Sequence, residues 1–452
     1  MLSRAPRAML CAAVLAAALQ AVGCGEPATR ERSAGAQPGG PLERTPAARS
    51  PAPQQQGPGE RLYATGLELA EQGRFREAVS AFEEAVVHRP GDPRVHFQLG
   101  NAALHDDQYE RAIAAYRRAT ELDPGFAAAY HNLGGLFGTL ERFAEAMEAL
   151  QRAAAADPEY ASAHNGLGKL YLRQGDYPRA AAALQRATEL DSSLAEAWYN
   201  LGEVHSRQDD LESATAAYAR AARADTAFAP ALAGLGSVRY KQRRFPEAVS
   251  VLEKAVELDP NLTRAVYTLG NAYLRSGQAE LGRRTLARAA RLQQQDIRLD
   301  ELLYALTSYP DRATLYLDLG VLYAARGELG KARQKYEQAL RLDSNLVQAC
   351  YNLGNLYLRA RQPERAWPLY LRAVTVDSTY GLGYHGLGNV HMVRGEYPQA
   401  AAAFRRALRL RPEDGEIRRS LQIAARLAGA PPGPVRTDAD SAGPGPAPGG
   451  SP

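Results

Sequence analysis

The chain has 452 residues, with 54 lysines and arginines against 50 aspartates and glutamates, for a formal net charge of +4. Arg4 and Arg7 lie in the first stretch, and without them the balance falls by two, to +2, which excludes the strongly basic footprint of a nucleic-acid-binding protein. The three cysteines, Cys11, Cys24 and Cys350, are too few and too scattered for a disulfide framework.

Residues 1–23 read as an export signal: Arg4 and Arg7 are its basic region, Ala8 to Leu19 its apolar run, and Ala21-Val22-Gly23 a small-residue cleavage site. The apolar run is too short to span a bilayer as a stable helix. Ala21-Val22-Gly23-Cys24 resembles a bacterial lipoprotein signal, in which the cysteine is acylated and becomes the mature N-terminus. The resemblance departs at Ala21, where leucine is the usual residue. By the same resemblance Gly25, in place of an aspartate, implies the outer membrane. Residues 24–58 are rich in Pro, Gly, Ala, Gln and Arg, cannot build a core, and are expected to form a disordered tether. A flexible chain of that length reaches roughly 30–35 Å.

A repeat begins at residue 59. Glycines recur every 34 residues at Gly66, Gly100, Gly134, Gly168, Gly202, Gly236 and Gly270, and again at Gly320, Gly354 and Gly388. Small residues follow each glycine at fixed offsets, Ala146 and Ala153 after Gly134 being one pair. Apolar positions between them keep a 3.6-residue period, which predicts two helices per unit. In the Ala127–Tyr160 unit these are Ala127 to Leu140 and Phe143 to Ala156. Glycine inside a helix costs about 0.5–1 kcal/mol against alanine, so its periodic use calls for a packing reason. The reason expected is close approach of the two backbones at Gly134 and Ala146. Pro90, Pro124, Pro158, Pro260 and Pro412 are expected to close second helices, with Asp123, Asp157, Asp191, Asp225, Asp259, Asp343 and Asp377 in the turn.

Seven units fill 59–296. An insertion follows at 297–312, with Leu299, Leu302, Leu303 and Leu306 at helical spacing and Pro310 ending it; it reads as one added or extended helix. Three more units cover 313–414. Residues 415–429 form an amphipathic capping helix with Ile417, Leu421, Ile423 and Leu427 on one side, and 430–452 are expected to be a disordered tail. No catalytic domain is expected behind the array.

The pattern Leu-Gly-x2-Tyr…Ala…Ala…Pro, clear at Leu353-Gly354-x2-Tyr357 and Leu269-Gly270-x2-Tyr273, resembles the tetratricopeptide repeat. That resemblance implies an all-α, right-handed superhelical solenoid of about ten helical hairpins. It also implies a concave groove lined mainly by the first helix of each repeat, with positions five, nine, twelve and thirteen facing it. Position five holds Phe97, His131, Asn165, Tyr199, Tyr267, Tyr351 and His385. Position nine holds Asn101, Lys169, Glu203, Asn271, Asn355 and Asn389. Position thirteen is basic at Arg173, Arg207, Lys241, Arg275 and Arg359. Aromatic faces with amides suit an extended peptide, and the cations favour an acidic one. The same cations could instead complement helix C-termini, at roughly 0.3–1 kcal/mol each. Arrays that clamp a C-terminal carboxylate carry Lys at position five before Asn at position nine; here Phe97, Tyr267, Tyr351 and His385 stand there, so that clamp is absent.

No motif calls for a cofactor or a metal. Gly381-Leu382-Gly383-Tyr384-His385-Gly386 satisfies GxGxxG, but inside a predicted first helix and without a preceding strand. The eight histidines form no HxxxH or HExxH pair. Asp106-Asp107 and Asp209-Asp210 read as solvated turn residues, and Cys350 as a buried filler. The expected function is non-enzymatic: a scaffold of the bacterial cell envelope binding extended or acidic segments of envelope proteins in its groove, touching the membrane only through the lipid on Cys24. The alternative is an accessory subunit of an envelope glycosyl-transfer or polysaccharide-export complex. Saccharide binding by the Tyr-rich groove ranks last.

Overall fold

A computed structural model describes residues 57–429. The expected leader, the Cys24 acylation site, the tether up to residue 56 and the 430–452 tail lie outside the described residues. Among the described residues run twenty-one α-helices. Ten hairpins pair α1 (Pro58–Glu71) with α2 (Phe75–His88), α3 (Pro93–His105) with α4 (Tyr109–Leu122), α5 (Ala127–Thr139) with α6 (Phe143–Ala156), α7 (Ala161–Gln174) with α8 (Tyr177–Leu190), α9 (Ala195–Arg207) with α10 (Leu211–Ala224), α11 (Ala229–Lys241) with α12 (Phe245–Leu258), α13 (Thr263–Arg275) with α14 (Ala279–Ser308), α15 (Ala313–Ala325) with α16 (Leu329–Leu342), α17 (Val347–Arg359) with α18 (Pro363–Val376) and α19 (Gly381–Val393) with α20 (Tyr397–Leu410). A last helix, α21 (Gly415–Ala428), follows alone. Two compact units divide these residues, 57–292 and 293–429, the boundary falling inside α14. In each unit the hairpins stack in chain order, since a lone hairpin cannot cover its apolar face.

The glycine ladder has a different reason from the one expected. A Cβ on Gly100 would meet the Tyr116 ring at 2.6 Å, one on Gly168 the Leu184 side chain at 2.5 Å, and one on Gly388 the Phe404 ring at 2.3 Å. In every repeat the obstacle is the large side chain sixteen residues on, at the middle of the second helix. The glycine therefore makes a slot for that side chain; backbone approach is secondary, with the Ala146 carbonyl 3.2 Å from a Gly134 Cβ. Tyr116, Tyr218 and Tyr370 fill such slots and are fully buried. Tyr218 and Tyr370 are also flanked by Gly234 and Gly386 on the next first helix. The alanines at the two later offsets, such as Ala146 and Ala153, are fully buried as well.

Both turn types repeat. Between the two helices of a hairpin one residue takes a left-handed conformation: Gly73, Gly175, Gly277, Gly327 and Gly395, but also Asp107, Glu141, Asp209, Arg243 and Arg361, the last five with φ from 56° to 61°. The next amide donates to a carbonyl five residues back, as from Arg244 to Arg239 at 3.0 Å, which closes a Schellman motif. After the second helix the aspartate does the closing. Asp123, Asp157, Asp191, Asp225, Asp259, Asp343 and Asp377 each accept the amide two residues on at 2.8–2.9 Å. Helices α8, α10, α16 and α18 stop there with no proline following, so the proline assists an end the aspartate already makes.

The insertion prolongs α14 without a break, giving a helix of 30 residues. Leu302 is buried, and Leu299 and Leu306 pack with it beside Leu319 and Tyr323. Leu303, one residue and about 100° round from Leu302, is 42% exposed, so it does not join the expected stripe. The capping helix shows the same correction. Ile417 and Ala424 are buried, whereas Ile423 is 54% exposed, because Ala424 and not Ile423 lies over Ile417 at seven residues' spacing.

Candidate interaction groove

Within each unit the odd-numbered helices approach their next odd neighbours, α7 to α9, α9 to α11 and α11 to α13 in the first, α15 to α17 and α17 to α19 in the second. Among the described residues no pair of even-numbered helices comes as close. A stack whose first helices crowd together is curved toward them, so the first-helix side is the concave one in each unit.

The residues expected to line it divide sharply. At position five, Phe97, Asn165, Tyr351 and His385 are buried, and His131 and Tyr199 are half-buried. These side chains pack between repeats: Phe97 lies 4.9 Å from Phe126, Tyr199 edge-on to Phe228 at 5.6 Å, Tyr351 edge-on to Tyr380 at 5.8 Å and His131 edge-on to Tyr160 at 5.6 Å. The expectation that they offer free aromatic faces is therefore corrected for all but Tyr267, which is 58% exposed. Phe97, His131, Tyr199 and Tyr351 each pack against the aromatic that closes their own repeat and caps the next first helix.

Position nine is partly committed too. Asn101 is buried; its Oδ1 accepts from the Tyr116 hydroxyl at 2.7 Å and from Asn132 at 2.9 Å, while its Nδ2 donates to Gln98 at 3.1 Å. Asn355 accepts from the Tyr370 hydroxyl at 2.7 Å, and Asn271 donates to the Tyr267 carbonyl at 3.0 Å. Asn389 is half-buried. Asn101 and Asn355 thus serve the slotted tyrosines before any peptide backbone. Burial, and in repeat five the Glu203 carboxylate as well, holds these tyrosine hydroxyls well above their usual range.

Position thirteen remains available. Arg173, Arg207, Lys241, Arg275 and Arg359 are all exposed, and none enters an ion pair among the described residues. Arg173 stacks over the Phe143 ring at 4.5 Å, and Lys241 donates to the Ser206 carbonyl at 3.2 Å, near the C-terminus of α9. Lys241 thereby plays the helix-end role weighed against ligand binding. By contrast Lys169, at position nine, pairs with Glu196 at 3.3 Å.

Two of the histidines brace turns. His96 and His164 each place Nε2 3.0 Å from a turn carbonyl six residues back, where Trp198 and Tyr316 do the same through their own N–H and O–H. Cys350 at this position is a free, buried thiol. The glycines of the GxGxxG run pack against Arg411, Val374 and Tyr370, which fill the space a phosphate would need. Among the described residues no three His, Cys, Asp or Glu side chains could jointly hold a metal ion.

Tetratricopeptide repeat models match residues 63–127, 131–195, 165–230 and 199–263, then 239–306, 320–360, 349–380 and 381–414. The chain belongs to the tetratricopeptide repeat proteins. The groove just described is therefore the first-helix groove of a tetratricopeptide array, a non-catalytic scaffold fold that generally mediates protein–protein interaction. The chain is similar to MamA, with 27% identity over 37% of this chain and 97% of that one, at a TM-score of 0.33. It is similar to YrrB, a TPR protein with an unusual peptide-binding site, with 26% identity over 42% of this chain and 97% of that one, at a TM-score of 0.34. TTC0263, a thermophilic TPR protein in Thermus thermophilus, shares 24% identity over 37% of this chain and 92% of its own, at a TM-score of 0.33. No curated protein matches.

One contact across this tetratricopeptide groove has no counterpart in the sequence pattern. Arg264, at position two of repeat seven, lies 3.5 Å from Glu203 of repeat five. The sequence signal that could have found it is the string of small residues between them, Ala233, Gly234 and Ser237, which leaves the inner face of repeat six low.

Proposed function

We propose that the array is a bacterial envelope scaffold that holds extended, acidic segments of partner proteins along its first-helix groove. The observation that carries the reading is the row of exposed cations without acid partners among the described residues, Arg173, Arg207, Lys241 and Arg275, one repeat apart. Such a row raises association rates and selects partners more than it adds affinity, and salt screens it. The Ala21-Val22-Gly23-Cys24 sequence supports export and acylation of Cys24, with the array held at the periplasmic face of an outer membrane. Among the described residues no helix is long and apolar enough to cross a membrane.

The test is a pull-down from detergent-solubilised envelopes with the wild-type chain beside a variant carrying Arg173→Glu, Arg207→Glu, Lys241→Glu and Arg275→Glu. Partners that are rich in acidic segments, kept by the first and lost by the second at equal helicity, are the expected result. Identical partners on both baits would reduce the row to helix-end chemistry. Palmitate labelling that disappears in Cys24→Ala is the expected sign of the anchor.

A further inference from the structure

The inner side of repeats five to seven differs from the rest of the first unit. Tyr218 slots between Gly202 on α9 and Gly234 on α11, and its hydroxyl donates to Glu203 at 2.6 Å. Over the low stretch of Ala233, Gly234 and Ser237, Arg264 reaches back across a whole repeat. Its Nη1 lies 3.5 Å from both oxygens of Glu203.

The pair is unequal. The Glu203 side chain is 11% exposed, while that of Arg264 is 60% exposed. Glu203 has a short bond from Tyr218 at Oε1, so Arg264 is the more distant of its two partners. Arg264 offers a single nitrogen at the outer limit of hydrogen bonding and leaves the rest of its fork in water. Tyr267, one turn further along α13, adds an exposed ring. Helices α9, α11 and α13 carry Arg207, Lys241, Arg264 and Arg275, and Arg239 paired with Glu247, against Glu196 and Glu203, of which Glu196 is committed to Lys169. The surface is built to attract a carboxylate and holds one of its own in place.

We propose that Arg264 anchors one carboxylate side chain of an acidic extended peptide, and that Glu203 is a built-in surrogate which this carboxylate displaces. The proposal rests on the acidic-groove reading above. Exchange takes from buried Glu203 its cation, but the contact given up is long and one-sided, and Glu203 keeps its tyrosine partner. It is favourable because an arriving carboxylate can engage the guanidinium fork at two nitrogens, which Glu203 does not. Tyr267 would cover the apolar part of the residue beside it.

The experiment measures binding of a fluorescein-labelled polyglutamate peptide by anisotropy at one ionic strength. The full chain is compared with Glu203→Gln, Arg264→Gln, the double variant and Glu196→Gln. Glutamine keeps a carbonyl for Tyr218, and thermal melts confirm that each variant is folded. The expected result is a gain in affinity of roughly fivefold or more for Glu203→Gln, a loss for Arg264→Gln, and no gain when both are changed. Glu196→Gln removes the same charge from the same helix and should gain far less. Equal gains from the two glutamates, or a Glu203→Gln gain that survives without Arg264, would overturn the surrogate while leaving an acidic groove standing. Failure of the wild type and every variant to bind would overturn both readings.

Discussion

In repeat two, Tyr116 slots against Gly100 and donates to Asn101; in repeat five, Tyr218 slots against Gly202 and donates to Glu203. The packing is the same and the polar outcome is not. Asn101 sits in a closed network with Asn132 and Gln98, all its partners within adjacent repeats. Glu203 carries a charge that its own repeat does not neutralise, and its second partner comes from two repeats away. The slot is a property of the fold, whereas the residue at its mouth decides whether the groove is inert or charged.

The largest effect is expected where the two sites are alike. Tyr116→Ala and Tyr218→Ala should each cost about 3–5 kcal/mol in urea unfolding, as for other buried aromatics. Gly202→Ala should cost about 1–3 kcal/mol by overpacking, and that cost should vanish in a Tyr218→Ala background. A cost that persists there would return the glycine to a backbone role.

Removing only the hydroxyl should separate the sites. Tyr218→Phe takes a bond from a carboxylate and should cost about 1.5–3 kcal/mol, against about 1 kcal/mol for Tyr116→Phe, since Asn132 still serves Asn101. Equal losses in paired denaturation curves would show that the charge of Glu203 is unimportant to the slot.

His131 offers a third case, a group denied its charge where Glu203 is allowed one. Burial pushes its imidazole down to about 4, with Glu196 opposing and Lys169 assisting, and its Nδ1 has no hydrogen-bond partner among the described residues. A folded-state value lowered in this way gives stability that is fully present above about 6.5, the unfolded value. It is lost as pH falls toward about 4. The loss by pH 5 should be about 2 kcal/mol and should disappear in His131→Phe, read from unfolding curves across that window.

The smallest effect lies in the hairpin turns. Arg243 and Glu141 hold φ of 61° and 58°, where other repeats use glycine. Arg243→Gly and Glu141→Gly should each raise stability by about 1 kcal/mol, and Gly277→Arg should lower it by as much. No change in melting temperature would mean that the Schellman bonds fully offset the strain.

Much of this architecture is legible in the residues alone. The helix Phe143–Ala156 follows from the apolar period, the buried Cys350 from its place on a first helix, and the aspartate turns from their position after each second helix. The slot is half legible: Gly100 and Tyr116 recur sixteen residues apart, but the spacing suggests only two backbones in contact. The groove is where the pattern misleads most. Phe97, Tyr351 and His385 share a helical position with exposed Tyr267, and no periodicity distinguishes them.

The sequence by itself determined the number and pairing of the hairpins, because glycine and small-residue signals recur inside each 34-residue window, with an aspartate closing seven of the ten. Only the tertiary structure decided which inward side chains are spare. That depends on what the turn into the next repeat places against them, as Phe126 does for Phe97. It also depends on curvature that brings Arg264 to Glu203 across 61 residues of chain, a distance over which no local pattern carries information.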